Sequence, residues 1–177
     1  AAVLCIQEGI STKVINNSLK NFMGINRRMQ VLGELLINGS SCILVDDYGH
    51  HPSEIESTID SIRESFLNKE LNMVFQPHRY TRTNDLFSEF VDVLTKVDNL
   101  ILLDIYSAGE SPINGVSSEE LMKKLIDKGF DKVKLLNSRN EIIRSLEDHV
   151  DNDSVLVMQG AGNISDVSSE IKKKNLG

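Results

Sequence analysis

No stretch of the 177 residues approaches the roughly 20 consecutive apolar residues that a membrane-spanning helix needs, so no membrane partner is expected. Cysteine is scarce. Cys5 and Cys42 each sit in an apolar run, Val-Leu-Cys-Ile and Ser-Cys-Ile-Leu-Val, which excludes a disulfide framework and points to buried, reduced thiols in a cytoplasmic compartment. Positive charge is outnumbered, 19 Lys and Arg against 26 Asp and Glu for a net −7, so no uniform field gathers phosphates and nucleic acid is not an expected partner. That balance still permits a local basic pocket. There is no Gly-x-x-x-x-Gly-Lys-Ser/Thr phosphate loop and no Gly-x-Ser-x-Gly nucleophile elbow. If ATP chemistry takes place, its phosphate-gripping half lies elsewhere. Nor does any Cys or third His stand at ligand spacing from His50-His51, so no metal site is expected.

What is present is an ordinary globular composition, 40% hydrophobic and 25% charged, on a chain long enough to bury a full core. Five short apolar runs read as buried strands: Cys42–Val45, Met73–Phe75, Leu100–Leu103, Val133–Leu136 and Val155–Met158. After each comes a stripe at helical spacing: Ile55, Ile59, Ile62 and Phe66; Leu86, Phe87, Phe90, Val91 and Leu94; Leu121, Leu125 and Ile126; Ile142, Ile143, Leu146 and Val150; Ile164, Val167 and Ile171. Parallel strands need crossovers and helices supply them, so the alternation predicts an α/β fold, a mostly parallel sheet with helices on both faces. Ahead of it, residues 1–8 and 11–22 read as two helices, the second capped by Ser11, with Val14, Ile15, Leu19 and Phe22 on one face. The pattern breaks over residues 23–30, where Gly24 suits a helix end. The start, Ala-Ala-Val-Leu-Cys-Ile, reads like the middle of a helix, so the chain is expected to be a piece of a longer one.

Ligands of open α/β sheets bind beyond the carboxyl ends of the strands. Asp46-Asp47-Tyr48-Gly49-His50-His51-Pro52 follows the first run, Gln76-Pro77-His78-Arg79-Tyr80-Thr81-Arg82-Thr83 the second, Asp104 to Glu110 the third and Gln159-Gly160-Ala161-Gly162-Asn163 the fifth. All three Tyr and three of the four His thus fall on one edge; His149, at a helix end, reads as a solvated residue. Arg79 and Arg82, three apart at the entry of a helix, can bring two guanidinium forks onto a carboxylate or phosphate. Solvent-facing arginines are the commoner case, but His78, Tyr80 and Thr83 beside them favour an anion site. One of His50 and His51 is expected to meet a ligand while the other packs, with Pro52 opening a helix. Gly160-Ala161-Gly162 fits a tight turn better than a phosphate cradle. Spacing leaves Asp46-Asp47 open between an acid/base pair, a ribose or metal contact and strand-end charge. It leaves Arg27-Arg28 open between a ligand contact and a charge pair facing water. A stand-alone α/β module that binds a small anion or a partner protein fits these features as well as an enzyme does.

Asp-Asp-Tyr-Gly-His-His-Pro (46–52), Phe-Gln-Pro-His-Arg-Tyr-Thr-Arg-Thr (75–83), Asp-Ile-Tyr-Ser-Ala-Gly-Glu (104–110) and Gln-Gly-Ala-Gly-Asn (159–163), together with Phe-Met-Gly-Ile-Asn-Arg-Arg-Met-Gln (22–30), resemble the Mur ligase family. His-Arg-Tyr-Thr-Arg-Thr points to its alanine-adding branch rather than to the recycling ligase that attaches a preformed tripeptide. The resemblance covers essentially the whole chain and implies a three-domain enzyme. Residues 1–25 would be the end of a central ATPase domain and residues 26–177 the Rossmann-like C-terminal domain, with the N-terminal UDP-binding domain lying outside. It implies ATP with Mg2+, held mainly by the other domains, and L-alanine and UDP-N-acetylmuramate as the remaining substrates. The activity it implies is amide-bond formation through an acyl phosphate in peptidoglycan precursor synthesis, with the isolated piece inactive. By motif position, Arg28 would neutralise phosphate charge and Asp47 would contact the nucleotide. Tyr48, His50, Arg79 and Arg82 would form the pocket for alanine and the reacting carboxylate, with His78 beside them. Met29 stands where Phe is usual.

Overall fold

A computed structural model describes residues 1–22, 24–37, 40–149 and 153–175; Val150, on the fourth stripe, and the side chain of His149 lie outside the described residues. Among the described residues six strands form one sheet in the order β1-β2-β6-β3-β4-β5: β1 Gln30–Ile37, β2 Ser40–Asp47, β3 Glu70–Phe75, β4 Asn99–Leu102, β5 Val133–Leu135 and β6 Ser154–Gln159. All neighbours are parallel except β1 and β2. The five expected runs are the parallel strands. The central β6 is buried along its whole length, as a strand covered on both faces must be.

The helices are α1 Ala2–Gln7, α2 Thr12–Lys20, α3 Pro52–Ser65, α4 Tyr80–Asp85, α5 Phe87–Leu94, α6 Ser118–Asp127, α7 Arg139–His149 and α8 Ile164–Asn175. Ile55, Ile59 and Ile62 of α3, Phe90 and Leu94 of α5 and Leu121 and Leu125 of α6 pack on one face of the sheet against Leu71, Met73, Phe75, Val155 and Val157. Ile142 and Leu146 of α7 and Ile164, Val167 and Ile171 of α8 pack on the other against Leu44, Val74, Ile101 and Leu156. Helices therefore cover both faces, and each fully buried Leu, Ile or Phe on these stripes contributes about 1.5–3 kcal/mol. Among the described residues no helix is long and apolar enough to cross a membrane.

Local sequence explains the helix starts. Pro52 occupies the first turn of α3, and His51 and Glu54 form a reciprocal cap. The Ser11 side chain accepts from Val14 N at 3.4 Å and that of Ser117 from Glu120 N at 3.3 Å.

Several expectations need correction. Ile126 leaves the α6 stripe and is 48% exposed, because Leu121 and Leu125 already fill that face. On α2 only Ile15 is buried, while Val14, Leu19 and Phe22 are exposed. The stripe from Leu86 lies on α5 as expected, and the short α4 ahead of it, which ends just before Leu86, was not part of that expectation. The antiparallel edge strand β1 was not anticipated. Its register slips between Val31 and Gly33, which breaks the alternation that marks a strand. Asn38-Gly39 between two apolar runs was the available hairpin signal.

The two thiols differ in kind. Cys42 is buried, and burial with the nearby Glu34 carboxylate pushes its thiol up to about 11, whereas Cys5 is half-buried. A disulfide reagent at pH 8 is expected to titrate one thiol rapidly in the native chain and two after denaturation. Two rapidly reacting thiols in the native chain would contradict this burial of Cys42.

Candidate functional site

β2, β6 and β3 end side by side, with Asp47 in register with Gln159 and Gln159 with Phe75. The residues just beyond them are drawn together by buried amides and carboxylates. Asp47 is only 5% exposed. Its Oδ1 accepts from Gly49 N at 2.7 Å and Gln159 Nε2 at 2.8 Å, and its Oδ2 accepts from Met29 N at 2.7 Å. Gln159 Nε2 also donates to the Gly49 carbonyl at 2.7 Å. Asp47 is thus first an anchor that locks the 27–29 turn and the 48–50 loop to the strand ends. Asp46 is the partner of Arg27, with Arg27 Nε 3.3 Å from its Oδ1. Burial pushes the Asp46 carboxyl up, opposed by the Arg27 guanidinium.

The turn separates the two arginines. Arg27 and Met29 both have positive φ, 56° and 46°, a conformation non-glycine residues rarely adopt. Arg27 turns inward, donating to the carbonyl of Gly160, while Arg28 stays half-exposed and pairs with Glu54 at 3.2 Å. Both guanidinium groups lie over the Tyr48 ring, at 5.1 and 5.6 Å from its centroid. Burial alone would raise the Glu54 carboxyl, but the backbone N–H groups of His50 and His51 with Arg28 hold it below the usual range.

From Tyr48 the aromatic rings run in series across the edge. Tyr48 meets His50 at 5.3 Å, His50 meets His78 at 5.6 Å, and His78 stacks on Tyr106 at 5.5 Å. His50 is the histidine in this series, and His51 is the one that caps α3. The structure therefore brings Arg28, Tyr48, His50, His78 and Arg82 into one cluster, since Arg82 Nη1 donates to the His78 carbonyl at 3.0 Å. Arg79 joins through its backbone, where Arg79 N donates to the Tyr106 carbonyl at 2.8 Å.

The two arginines do not share a protein partner. Arg79 lies 3.7 Å from Glu110, and Arg82 faces His78. The first turn of α4 is also already engaged, with Thr81 N donating to Glu110 Oε2 at 3.0 Å. Arg79 itself has φ 73° and ψ 135°, a strained backbone held by the bridge between His78 and Tyr106.

The glycine motif serves packing. A Cβ on Gly160 would lie 2.8 Å from the Gln76 carbonyl, and one on Gly162 would strike Gln76 Oε1 and the Tyr106 ring. Gln76 Oε1 accepts from Ile164 N at 3.2 Å, so a side chain caps α8 where a phosphate cradle was the alternative. Arg27 was left open with Arg28, and Gln76, Tyr106, Glu110 and Gln159 are the site residues to which sequence reasoning gave no role. The signal each of them had was its place in a strand-end motif, 75–83, 104–110 or 159–163.

Burial lowers the His78 imidazole, and the charges of Arg82, His50 and Arg79 lower it further against the pull of Glu110. With the folded state below the ordinary 6.5, the unfolded chain takes up its proton first as pH falls. The stability that His78 lends is complete above that ordinary value and is lost as pH drops from there through the folded one. A proton-NMR titration should place the His78 ring midpoint below 6.5 and move it upward in Arg82→Gln. An unmoved midpoint would contradict the role given to Arg82.

Beside Arg28 a groove of about 370 Å3 is lined by Asp47, Glu54, Ser57 and Thr58. Among the described residues no three His, Cys, Asp or Glu are placed to hold a metal ion.

Residues 27–162 match the family model described as Mur ligase, glutamate ligase domain. The chain is 43% identical over 176 residues to a UDP-N-acetylmuramate–L-alanine ligase of Buchnera aphidicola and 38% identical over 176 residues to one of Psychrobacter arcticus. These alignments cover 97% and 99% of this chain and 36% of each relative, so the chain spans about one third of their length. Among solved structures, a UDP-N-acetylmuramate-alanine ligase of Thermotoga maritima superposes with a TM-score of 0.77 at 22% identity, covering 97% of this chain and 35% of that one. A murein peptide ligase of Psychrobacter arcticus follows at 0.65 and 18%, covering 89% of this chain and 31% of that one. At these identities the superpositions show the mostly parallel, Rossmann-like fold.

Proposed function

We propose that this chain, which belongs to the Mur ligase family, is the closing domain of an ATP-dependent amide ligase that joins L-alanine to UDP-N-acetylmuramate in peptidoglycan precursor synthesis. The observation that carries this reading is the cluster of Tyr48, His50, His78 and Arg82, with Arg79 tied to it through Tyr106, at the carboxyl edge of the sheet. The identity to relatives that bear that name supports it along the whole length.

Residues 1–25 would close a central ATPase domain, and residues 26–177 form the C-terminal domain. Val3, Leu4, Ile6, Val14, Leu19 and Phe22 stand exposed, an apolar surface suited to cover by the rest of a longer protein. The groove beside Arg28 suits the nucleotide, with Arg28 offering charge, Asp47 an acceptor edge and Ser57 and Thr58 hydroxyls. Mg2+ finds no comparable set of ligands among the described residues, so it would be held by the other domains, as would the phosphate loop that this sequence lacks. The substrates and the setting are those of the cytoplasm.

In this reaction an oxygen of the muramoyl carboxylate attacks the γ-phosphorus of ATP, giving ADP and an acyl phosphate. The L-alanine nitrogen then attacks the acyl carbon; phosphate leaves, the nitrogen gives up a proton, and an amide remains. Arg28 neutralises phosphate charge as it develops. Arg79 and Arg82 bind the alanine carboxylate through their forks, Arg79 exchanging Glu110 for it. Tyr48 and His50 wall the pocket. His78, kept neutral by burial and by its cationic neighbours, can take the proton that nitrogen releases. With the chain joined to its other domains and an 18O-labelled muramoyl carboxylate, one label should appear in the released phosphate. Unlabelled phosphate would exclude the acyl phosphate route.

A further inference from the structure

At the opposite edge of the sheet from the arginines, residues toward the amino ends of β3, β4 and β5 line a partly open cavity of about 250 Å3. Strand register sets its floor. Asn72 of β3 lies between Leu156 of β6 and Asn99 of β4, and Val74 lies beside Ile101 one row further along. Leu146 of α7 also lines it. Asn72 lines this cavity and is only 6% exposed. Its Oδ1 accepts from Asn99 Nδ2 at 2.7 Å, but among the described residues its own amide nitrogen, Nδ2, has no hydrogen-bond partner.

Buried polar groups in folded proteins almost always find a partner, and one left without is costly. Val74, Ile101 and Leu156 beside this donor are apolar, and of the other polar residues of the lining Asp131, Lys132 and Lys134 are exposed and Ser145 of α7 is half-buried. Lys132 and Lys134 of the lining are exposed and keep their hydration, so a ligand carboxylate placed at Asn72 would shed its own against Val74, Ile101 and Leu156 for one neutral donor. We propose that the cavity is a binding site for a small, uncharged, largely apolar molecule bearing a carbonyl oxygen. That oxygen accepts from Asn72 Nδ2, and the apolar body rests on Val74, Ile101 and Leu156. A cavity of roughly 150 Å3 takes benzene, so this one suits about ten non-hydrogen atoms. β3 and β4 carry this site at their amino ends and lead to His78, Arg79 and Tyr106 beyond their carboxyl ends.

The test uses the full chain, 15N-labelled, titrated with 1-indanone and with indane, its counterpart without the oxygen. Saturable shifts centred on Asn72, Ile101 and Leu146 are expected with 1-indanone, and binding of indane about fivefold weaker. Asn72→Leu keeps the volume and removes the donor, and Asn99 Nδ2 retains Glu70 Oε1 at 2.9 Å. This variant should unfold at no lower temperature and bind the two compounds equally. No saturable shifts at these residues, equal affinities in the parent chain, or a preference for 1-indanone that survives Asn72→Leu would each overturn the proposal.

Discussion

Replacing Arg79 with alanine is expected to lower kcat/KM for L-alanine about thirtyfold in the protein joined to its other domains. Truncating one member of a desolvated charge pair costs about 2–5 kcal/mol, and the half-exposed Arg79 side chain belongs at the lower end of that range. Each 1.36 kcal/mol is about tenfold in rate, which gives the figure. The loss should appear chiefly in KM for L-alanine, because a carboxylate clamp grips the ground state and the transition state alike. KM for ATP should hardly move. Arg79→Gly separates function from folding. Glycine relieves the strain of φ 73°. That variant should therefore unfold at no lower temperature than Arg79→Ala and lose as much activity. An unchanged kcat/KM in either variant would remove Arg79 from the alanine site.

Gly49→Ala should be strongly destabilising for a single-methyl change. The added Cβ would lie 2.6 Å from both Asp47 Oδ1 and Gln159 Nε2, and 3.2 Å from the Glu54 Cβ. None of these can retreat freely. Asp47 and Gln159 are buried, and they hold each other and the Gly49 backbone. Forcing them apart combines overpacking with a buried carboxylate stripped of donors, together about 3–5 kcal/mol. For a chain of this size that lowers the melting temperature by about 10 °C. A loss below about 1 kcal/mol in denaturant unfolding would show that the Asp47–Gln159 anchor does not hold the edge together.

Much of this architecture can be read from local pattern. Parallel strands buried on both faces are apolar without interruption, so Val155–Met158 and its four counterparts stand out, and His51-Pro52 marks the start of α3 by itself. β1 hides because an edge strand tolerates exposed apolar residues such as Val31 and Leu36, and because the slip near Gly33 spoils its alternation. The site residues that carried signal were those whose types are unusual together, the His, Tyr and Arg of the strand-end loops. Gln159 and Asp47 are 112 residues apart in sequence, and Gln76 and Ile164 are 88 apart, so nothing near either glutamine announces its role. The opposite fates of Arg27 and Arg28 follow from backbone conformation at 27 and 29, which spacing does not encode. The pairing of Arg79 with Glu110 likewise depends on a loop brought in beside β3 by β4.

The central claim, that this chain completes an amino-acid ligase assembled with other domains, is tested most directly by measuring ADP release from ATP for the chain alone and for the chain joined to the central and N-terminal domains. Joined, it should release ADP at a rate that requires both L-alanine and UDP-N-acetylmuramate, with one amide product per ADP; alone, it should release none. ADP release by the chain alone, or release by the joined protein that is indifferent to L-alanine, would contradict the account.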